Sequence, residues 1–124
     1  MEGFFKKRRI SFRFAFAGLG YALRTQKNTW VHLFFTMAAI TAGWVLKISA
    51  LEWAVIVVCI GLVWTAEMMN TAVEAVSDLA CSELHPLAKI CKDVAAGAVL
   101  VAAFTSVVTG LLIFGPPLYR LFFP

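Results

Sequence analysis

Charge is scarce in this chain, and acid is scarcer. Charged residues occupy 15% of its 124 positions, against about 25% in soluble domains. Between Glu2 and Glu52 there is no Asp or Glu. Such a composition excludes an ordinary water-facing surface. The sequence also lacks a Gly-rich phosphate loop, internal repeats and low-complexity segments. The three cysteines, Cys59, Cys81 and Cys91, are odd in number and are not spaced as metal ligands. They read as small apolar fillers. The N-terminus has no apolar run ending in a small-residue cleavage site, so no cleavable signal peptide is expected.

Apolar residues are what the chain has in abundance: 61% of positions, with a mean hydropathy of +0.85. That is a membrane composition, and the length allows one domain, 1–124, with three spans. The expected fold class is an all-α membrane protein, a surface helix followed by three transmembrane helices. Residues 1–9 read as a basic arm. Residues 10–25 read as an amphipathic helix at the membrane surface. There Phe12, Phe16, Leu19 and Leu23 recur at helical spacing, and Arg13 and Arg24 can reach headgroups. Gly18 and Gly20 weaken that helix.

The spans are expected at 30–46, 51–79 and 93–114, each near or within the length that crosses a bilayer. Lys47 to Ala50 is a tight turn, with Ser49 and Glu52 spaced as a capping box for the second span. Trp44 and Trp53 mark one membrane interface and Trp30 the other. Pro86 should break the helix that precedes it, Asp93 can start the third span, and Gly115-Pro-Pro should end it. The third span carries a small face, Ala95, Ala96, Gly97, Ala98, Ala102 and Ala103, that permits close packing.

Lys6, Lys7, Arg8, Arg9, Arg13, Arg24, Lys27, Lys89 and Lys92 fall on one side of these spans, and Lys47 and Arg120 on the other. The positive-inside rule then puts the N-terminus in the cytoplasm, so 1–29 is cytoplasmic. The basic cluster suits anionic headgroups better than nucleic acid.

The stretch Ala66 to Asp78 organises the rest. Glu67, Asn70, Glu74 and Asp78 stand at i, i+3, i+7 and i+11, within about 80° of one helix face. They follow the apolar run Trp53 to Trp64. Measured from Trp53, Glu67 lies about 21 Å and Glu74 about 32 Å along the helix, against a hydrocarbon core about 30 Å thick. The stripe therefore crosses a membrane boundary, and ionisable groups at such depth are functional candidates by default. A homo-oligomer would shield the stripe from lipid.

Near the same boundary come Glu83, His85, Lys92 and Asp93. Carboxylates with an amide oxygen are the donors Mg²⁺ takes, usually beside substrate phosphates. A lysine there can neutralise phosphate charge in transfer. A poorly hydrated carboxylate at Glu67 suits a general base toward an alcohol. The residues thus point to phosphoryl transfer from a cytoplasmic nucleotide to a lipid hydroxyl.

Plainer uses exist for each group. Glu67 and Asn70 can be structural hydrogen-bonders between helices or subunits. Glu74 and Asp78 can be a solvated helix end, Lys92 and Asp93 can simply flank a span, and His85 can be a loop residue. A channel or transporter subunit would need polar residues continuing past Glu67, and only Thr65 stands there.

Two segments carry a resemblance. Glu67-Met-Met-Asn70-Thr-Ala-Val-Glu74-Ala-Val-Ser-Asp78 resembles the signature of the small integral-membrane prokaryotic diacylglycerol kinases. His85-Pro-Leu-Ala-Lys-Ile-Cys-Lys-Asp-Val-Ala-Ala-Gly-Ala-Val-Leu100 resembles that of their undecaprenol kinase branch. The resemblance extends roughly from Phe12 to Leu118.

It implies a homotrimer in the bacterial cell membrane, with active sites shared between subunits and the γ-phosphate of MgATP passed to a lipid alcohol. Undecaprenol is the first expected acceptor and diacylglycerol the second. By the same resemblance Glu67 matches the catalytic base. Asn70 and Glu74 match residues near metal and phosphate. Lys92 matches the phosphate-binding lysine, and Asp93, Glu83 and His85 match positions around the nucleotide. Asp78 matches an acid of the signature.

One position departs. The family pattern has a Glu two residues before the Asn that precedes the first span, where it helps hold metal; here that residue is Gln26. A Gln carbonyl can still ligate Mg²⁺, without charge. The departure leaves open a slower enzyme, a different metal balance, or an inactive homologue that binds nucleotide or lipid.

Overall fold

A computed structural model describes residues 2–81 and 85–123, with side chains from residue 10 onward. Its elements are α1 (Glu2–Thr25), α2 (Lys27–Leu46), α3 (Ala50–Ala80) and α4 (Pro86–Phe122). Among the described residues there is no strand, and α2, α3 and α4 are each long and apolar enough to cross a membrane. The all-α, three-span architecture read from composition is the one observed.

The helix limits differ from expectation in two places. Residues 2–9 continue α1 instead of forming a separate arm, because Lys and Arg are good helix formers and no Pro interrupts them. The helix that contains the expected third span, 93–114, extends beyond it at both ends. Pro86 does follow a break, but it also starts α4, standing at the first helical position. Its missing N–H is no loss there, and its φ is preset for helix. His85 is the N-cap, its Nδ1 accepting from the Leu87 N–H at 3.2 Å. At the other end α4 runs through Pro116 and Pro117 to Phe122. Proline's fixed φ is helical, so the backbone stays helical through both residues at the cost of two lost N–H donors and crowding of the preceding turn. With 37 residues, α4 is about 55 Å long and projects beyond a hydrocarbon core of about 30 Å.

The turn between α2 and α3 matches its expected chemistry. Ser49 Oγ accepts from the Glu52 N–H at 3.3 Å, and Glu52 Oε2 accepts from the Ser49 N–H at 2.7 Å. This capping box satisfies two otherwise orphaned donors at the start of α3. Lys47 closes α2 with φ 52°, a left-handed conformation.

Packing inverts the pattern of a soluble protein. The buried apolar residues are Ala22, Ile56, Val63 and Ala102, while Thr29, Glu67, Asn70, Thr71 and Ser77 are also buried. Phe34, Phe35, Val101, Phe104, Leu111 and Leu112 are exposed. In hydrocarbon this costs nothing for the apolar groups, and it is the polar groups that need enclosure.

α2 and α3 run antiparallel with a ladder of contacts along their seam. From one end to the other these are Gln26 with Glu74, His32 with Glu67, Thr36 with Trp64, and Gly43 with Trp53. α3 packs most extensively against α4.

The last rung fixes how closely the two helices approach. Gly43 is buried, and a Cβ there would come within 2.8 Å of the Trp53 ring. Trp53 in turn packs edge-on against Trp44, ring centroids 6.1 Å apart. Gly43→Val is therefore expected to splay the seam and destabilise the fold by about 1–3 kcal/mol. Thermal unfolding in detergent, followed by near-UV dichroism of the tryptophans, should show a lower midpoint. An unchanged midpoint would mean that Trp53 repacks freely.

Candidate active site

The site begins at the corner between α1 and α2. Gln26 is the one residue between them and is extended, with φ −103° and ψ 112°. Its N–H donates to Ala22 O at 2.9 Å, and its carbonyl accepts from the Thr29 N–H at 3.3 Å. Thr29 is fully buried and donates through Oγ1 to Ala22 O at 3.4 Å. These bonds pin the corner, so the Gln26 side chain is directed onto α3. Its Nε2 donates to Glu74 Oε2 at 2.6 Å.

On α3 the stripe lies as its spacing requires. Asn70 Nδ2 donates to Glu74 Oε1 at 3.1 Å, one helical turn away. Both oxygens of Glu74 are thus held by amide N–H groups, one from the α1–α2 corner and one from α3 itself. Asn70 is 7% exposed, and its Oδ1 is buried with no hydrogen-bond partner among the described residues. Glu74, Asn70 and Gln26 each carry a side-chain oxygen, the donor type a hard divalent cation accepts beside phosphates and water, although both amides here turn their N–H groups to the carboxylate. No three His, Cys, Asp or Glu side chains converge among the described residues. Any cation here would therefore draw most of its ligands from elsewhere.

Deeper along α3, Glu67 is 1% exposed. Its Oε1 is buried without a partner among the described residues, and its Oε2 lies 3.8 Å from His32 Nε2. Thr71 donates to the Glu67 backbone carbonyl at 3.0 Å, leaving the carboxylate itself unengaged by that hydroxyl. Glu67 opens onto a cleft of about 280 Å³ between three helices. α2 supplies Asn28, Val31 and His32, α3 supplies Glu67 and Asn70, and α4 supplies Ala96, Val99, Leu100 and Ala103. One wall is polar and the facing wall is apolar and mostly small. The small face of α4 is what lets the helices close around the cleft.

Toward the other end of the stripe, Asp78 is exposed and pairs with Lys92 of α4 at 2.5 Å. Lys92 also lies within electrostatic range of Glu74. Asp93 pairs with Lys89 on the exposed side of α4, and the exposed His85 caps that helix. Neither has a contact with the Gln26–Glu74 group among the described residues. Glu83 lies outside the described residues.

The structure therefore brings together Gln26, Asn70 and Glu74, joins Asp78 to Lys92, and sets Glu67 in the cleft. Reading the sequence missed His32 and Asn28. The signal for His32 was present, since an ionisable residue inside a span is a candidate by the same rule that singled out Glu67. Its partner stands on another helix, where no local spacing could reveal it.

The model of the prokaryotic diacylglycerol kinase family matches residues 13–114. A Synechocystis protein named diacylglycerol kinase is 46% identical over 113 residues, 90% of this chain but 65% of that protein. The chain thus spans just under two thirds of that relative's length. The undecaprenol kinase of Bacillus subtilis is 42% identical over 118 residues, 95% of this chain and 93% of that one. Diacylglycerol kinase of Escherichia coli K12 is 30% identical over 98 residues, 73% of this chain and 80% of that protein. From Arg13 in α1 to Phe114 in α4, a stretch that includes the whole stripe on α3, this chain belongs to the prokaryotic diacylglycerol kinase family of membrane lipid kinases.

Proposed function

We propose that the chain transfers the γ-phosphate of ATP to the hydroxyl of a membrane lipid, with undecaprenol as the preferred acceptor. The observation that carries this reading is the partnerless Oε1 of a buried Glu67, opening on a cleft whose facing wall is apolar. An oxygen so placed accepts a proton from a hydroxyl that arrives with its tail in hydrocarbon. Undecaprenol is preferred because the relative of that name is matched over nearly its whole length. Diacylglycerol stands second, supported by the Synechocystis relative.

In the transfer the lipid oxygen attacks the γ-phosphorus while its proton passes to Glu67. The bridging P–O bond breaks, and its electron pair leaves with ADP. Lys92, released from Asp78, balances charge on the moving phosphoryl group. Glu74, Asn70 and Gln26 would hold Mg²⁺ through oxygens. When bound, Mg²⁺ would screen the phosphate charges. Asp93 and His85 remain candidates for nucleotide contact at the same end of the bundle, and Glu83 remains a candidate by its place in the sequence motif.

That end is proposed to face the cytoplasm, where ATP is, in agreement with the nine basic residues on its side. Assembly as a homotrimer in the bacterial cell membrane, with each site completed by a neighbouring subunit, would enclose Asp78 and the exposed side of α4.

Two outcomes are expected. In a labelled-ATP assay in detergent micelles, with undecaprenol and a short-chain diacylglycerol side by side, label should enter the polyprenol preferentially. Glu67→Gln should lower transfer by about 10²–10⁴-fold, the range for a lost general base, without changing the oligomer seen by light scattering. Label in diacylglycerol alone would reverse the substrate order. No label in either from an assembled protein would mean an inactive homologue.

Gln26→Glu should lower the Mg²⁺ concentration for half-maximal transfer several-fold, because it adds the second carboxylate that a small divalent cation favours. An unchanged requirement would show that Glu74 and the phosphates already suffice.

A further inference from the structure

The two oxygens of Glu67 stand in different surroundings. Oε2 is 3.8 Å from His32 Nε2, and Oε1 is buried with no partner among the described residues. His32 and Glu67 line the same cleft. His32 is itself largely enclosed, with 15% of its side chain exposed.

The other elements packed around the cleft offer Glu67 little. α4 presents apolar Ala96, Val99, Leu100 and Ala103. On α3, the Asn70 amide N–H is already engaged by Glu74. On α2, Asn28 is the one further polar side chain lining the cleft. A buried carboxylate with no donor nearby is strongly disfavoured, and His32 is its one ion-pairing neighbour among the described residues.

We infer that His32 is a positioning residue. Its Nε2 holds Glu67 Oε2 and thereby turns Oε1 toward the incoming hydroxyl. The consequence for catalysis rests on the kinase reading above; the pairing itself does not. At 3.8 Å the contact is longer than a hydrogen bond, and a small rotation of ring or carboxylate closes it, as catalytic contacts do when substrate binds. During transfer the hydroxyl O–H bond breaks and its proton goes to Oε1. A bond forms from that oxygen to the γ-phosphorus, and the electron pair of the bridging P–O bond leaves with ADP. His32 neither gains nor loses a proton in this step. It fixes which carboxylate oxygen is available.

The test uses the full chain in detergent micelles. His32→Gln keeps an N–H near the Nε2 position, His32→Asn places one near Nδ1, and His32→Ala removes both. Ala and Asn should lower kcat by about 10–100-fold with KM for ATP and lipid changed less than about twofold, as for a displaced reacting group. Gln should recover most of the rate.

A second readout needs no turnover. The chain has two histidines, His32 and His85, so their ¹⁵N ring signals are separable. Glu67→Gln should shift the His32 Nε2 signal and leave both His85 signals in place. Equal losses in Ala, Asn and Gln, a change in KM alone, or an Nε2 signal indifferent to Glu67→Gln would each overturn the inference. If the unaltered chain transfers no phosphate, the kinase reading fails, and the nitrogen signal still decides whether His32 and Glu67 are paired.

Discussion

Removing a carboxylate from water costs several kcal/mol even after the surrounding protein relaxes. Glu67 meets that cost at 1% exposure on a helix packed between α2 and α4. Much of the fold can be understood as the arrangement that makes this tolerable. α2 lies antiparallel to α3 in a register that sets His32 beside Glu67, and the Gly43–Trp53 contact at the far end holds that register. The pinned corner at Gln26 starts α2 at the level of Glu74. A slip of one residue in this seam would turn the helix by about 100° and carry His32 away from its partner.

The stripe on α3 is graded. Glu67 is buried, Glu74 is half-buried and capped by two amides, and the Asp78 side chain is 70% exposed and paired to a lysine. Polarity rises over about 16 Å of helix. A lipid hydroxyl and a polyphosphate have opposite solubilities and can meet only across such a gradient. The α4 side of the cleft is closed by Ala96, Val99, Leu100 and Ala103, with no aromatic ring, a lining that would suit the lipid tail proposed to enter it.

The sequence carried the parts of this that depend on neighbours within one helix. The spacing of Glu67, Asn70, Glu74 and Asp78 put them on one face, and three of the four are hydrogen-bonded to one another, to Gln26 or to Lys92 of α4. The Ser49–Glu52 capping box was legible because its partners lie three residues apart. Helix limits were less legible where proline was involved. Pro86 has opposite meanings inside a helix and at its first position, and only the chain before it decides which applies. Gly115-Pro-Pro reads as a stop by propensity, yet the helical φ of proline lets α4 continue to Phe122. His32 was hidden because its meaning depends on Glu67, thirty-five positions away on another helix.

Glu67 is proposed as a base reached from the lipid side, while Asp78 and Asp93 are exposed. Carbodiimide labelling tests this directly, with modified carboxylates located by peptide mass spectrometry. An apolar carbodiimide should modify Glu67, and added undecaprenol should protect it. A charged, water-soluble carbodiimide should modify Asp78 and Asp93 and spare Glu67. Modification of Glu67 by the soluble reagent, unaffected by the lipid alcohol, would contradict the claim and make the buried carboxylate part of a water-filled site.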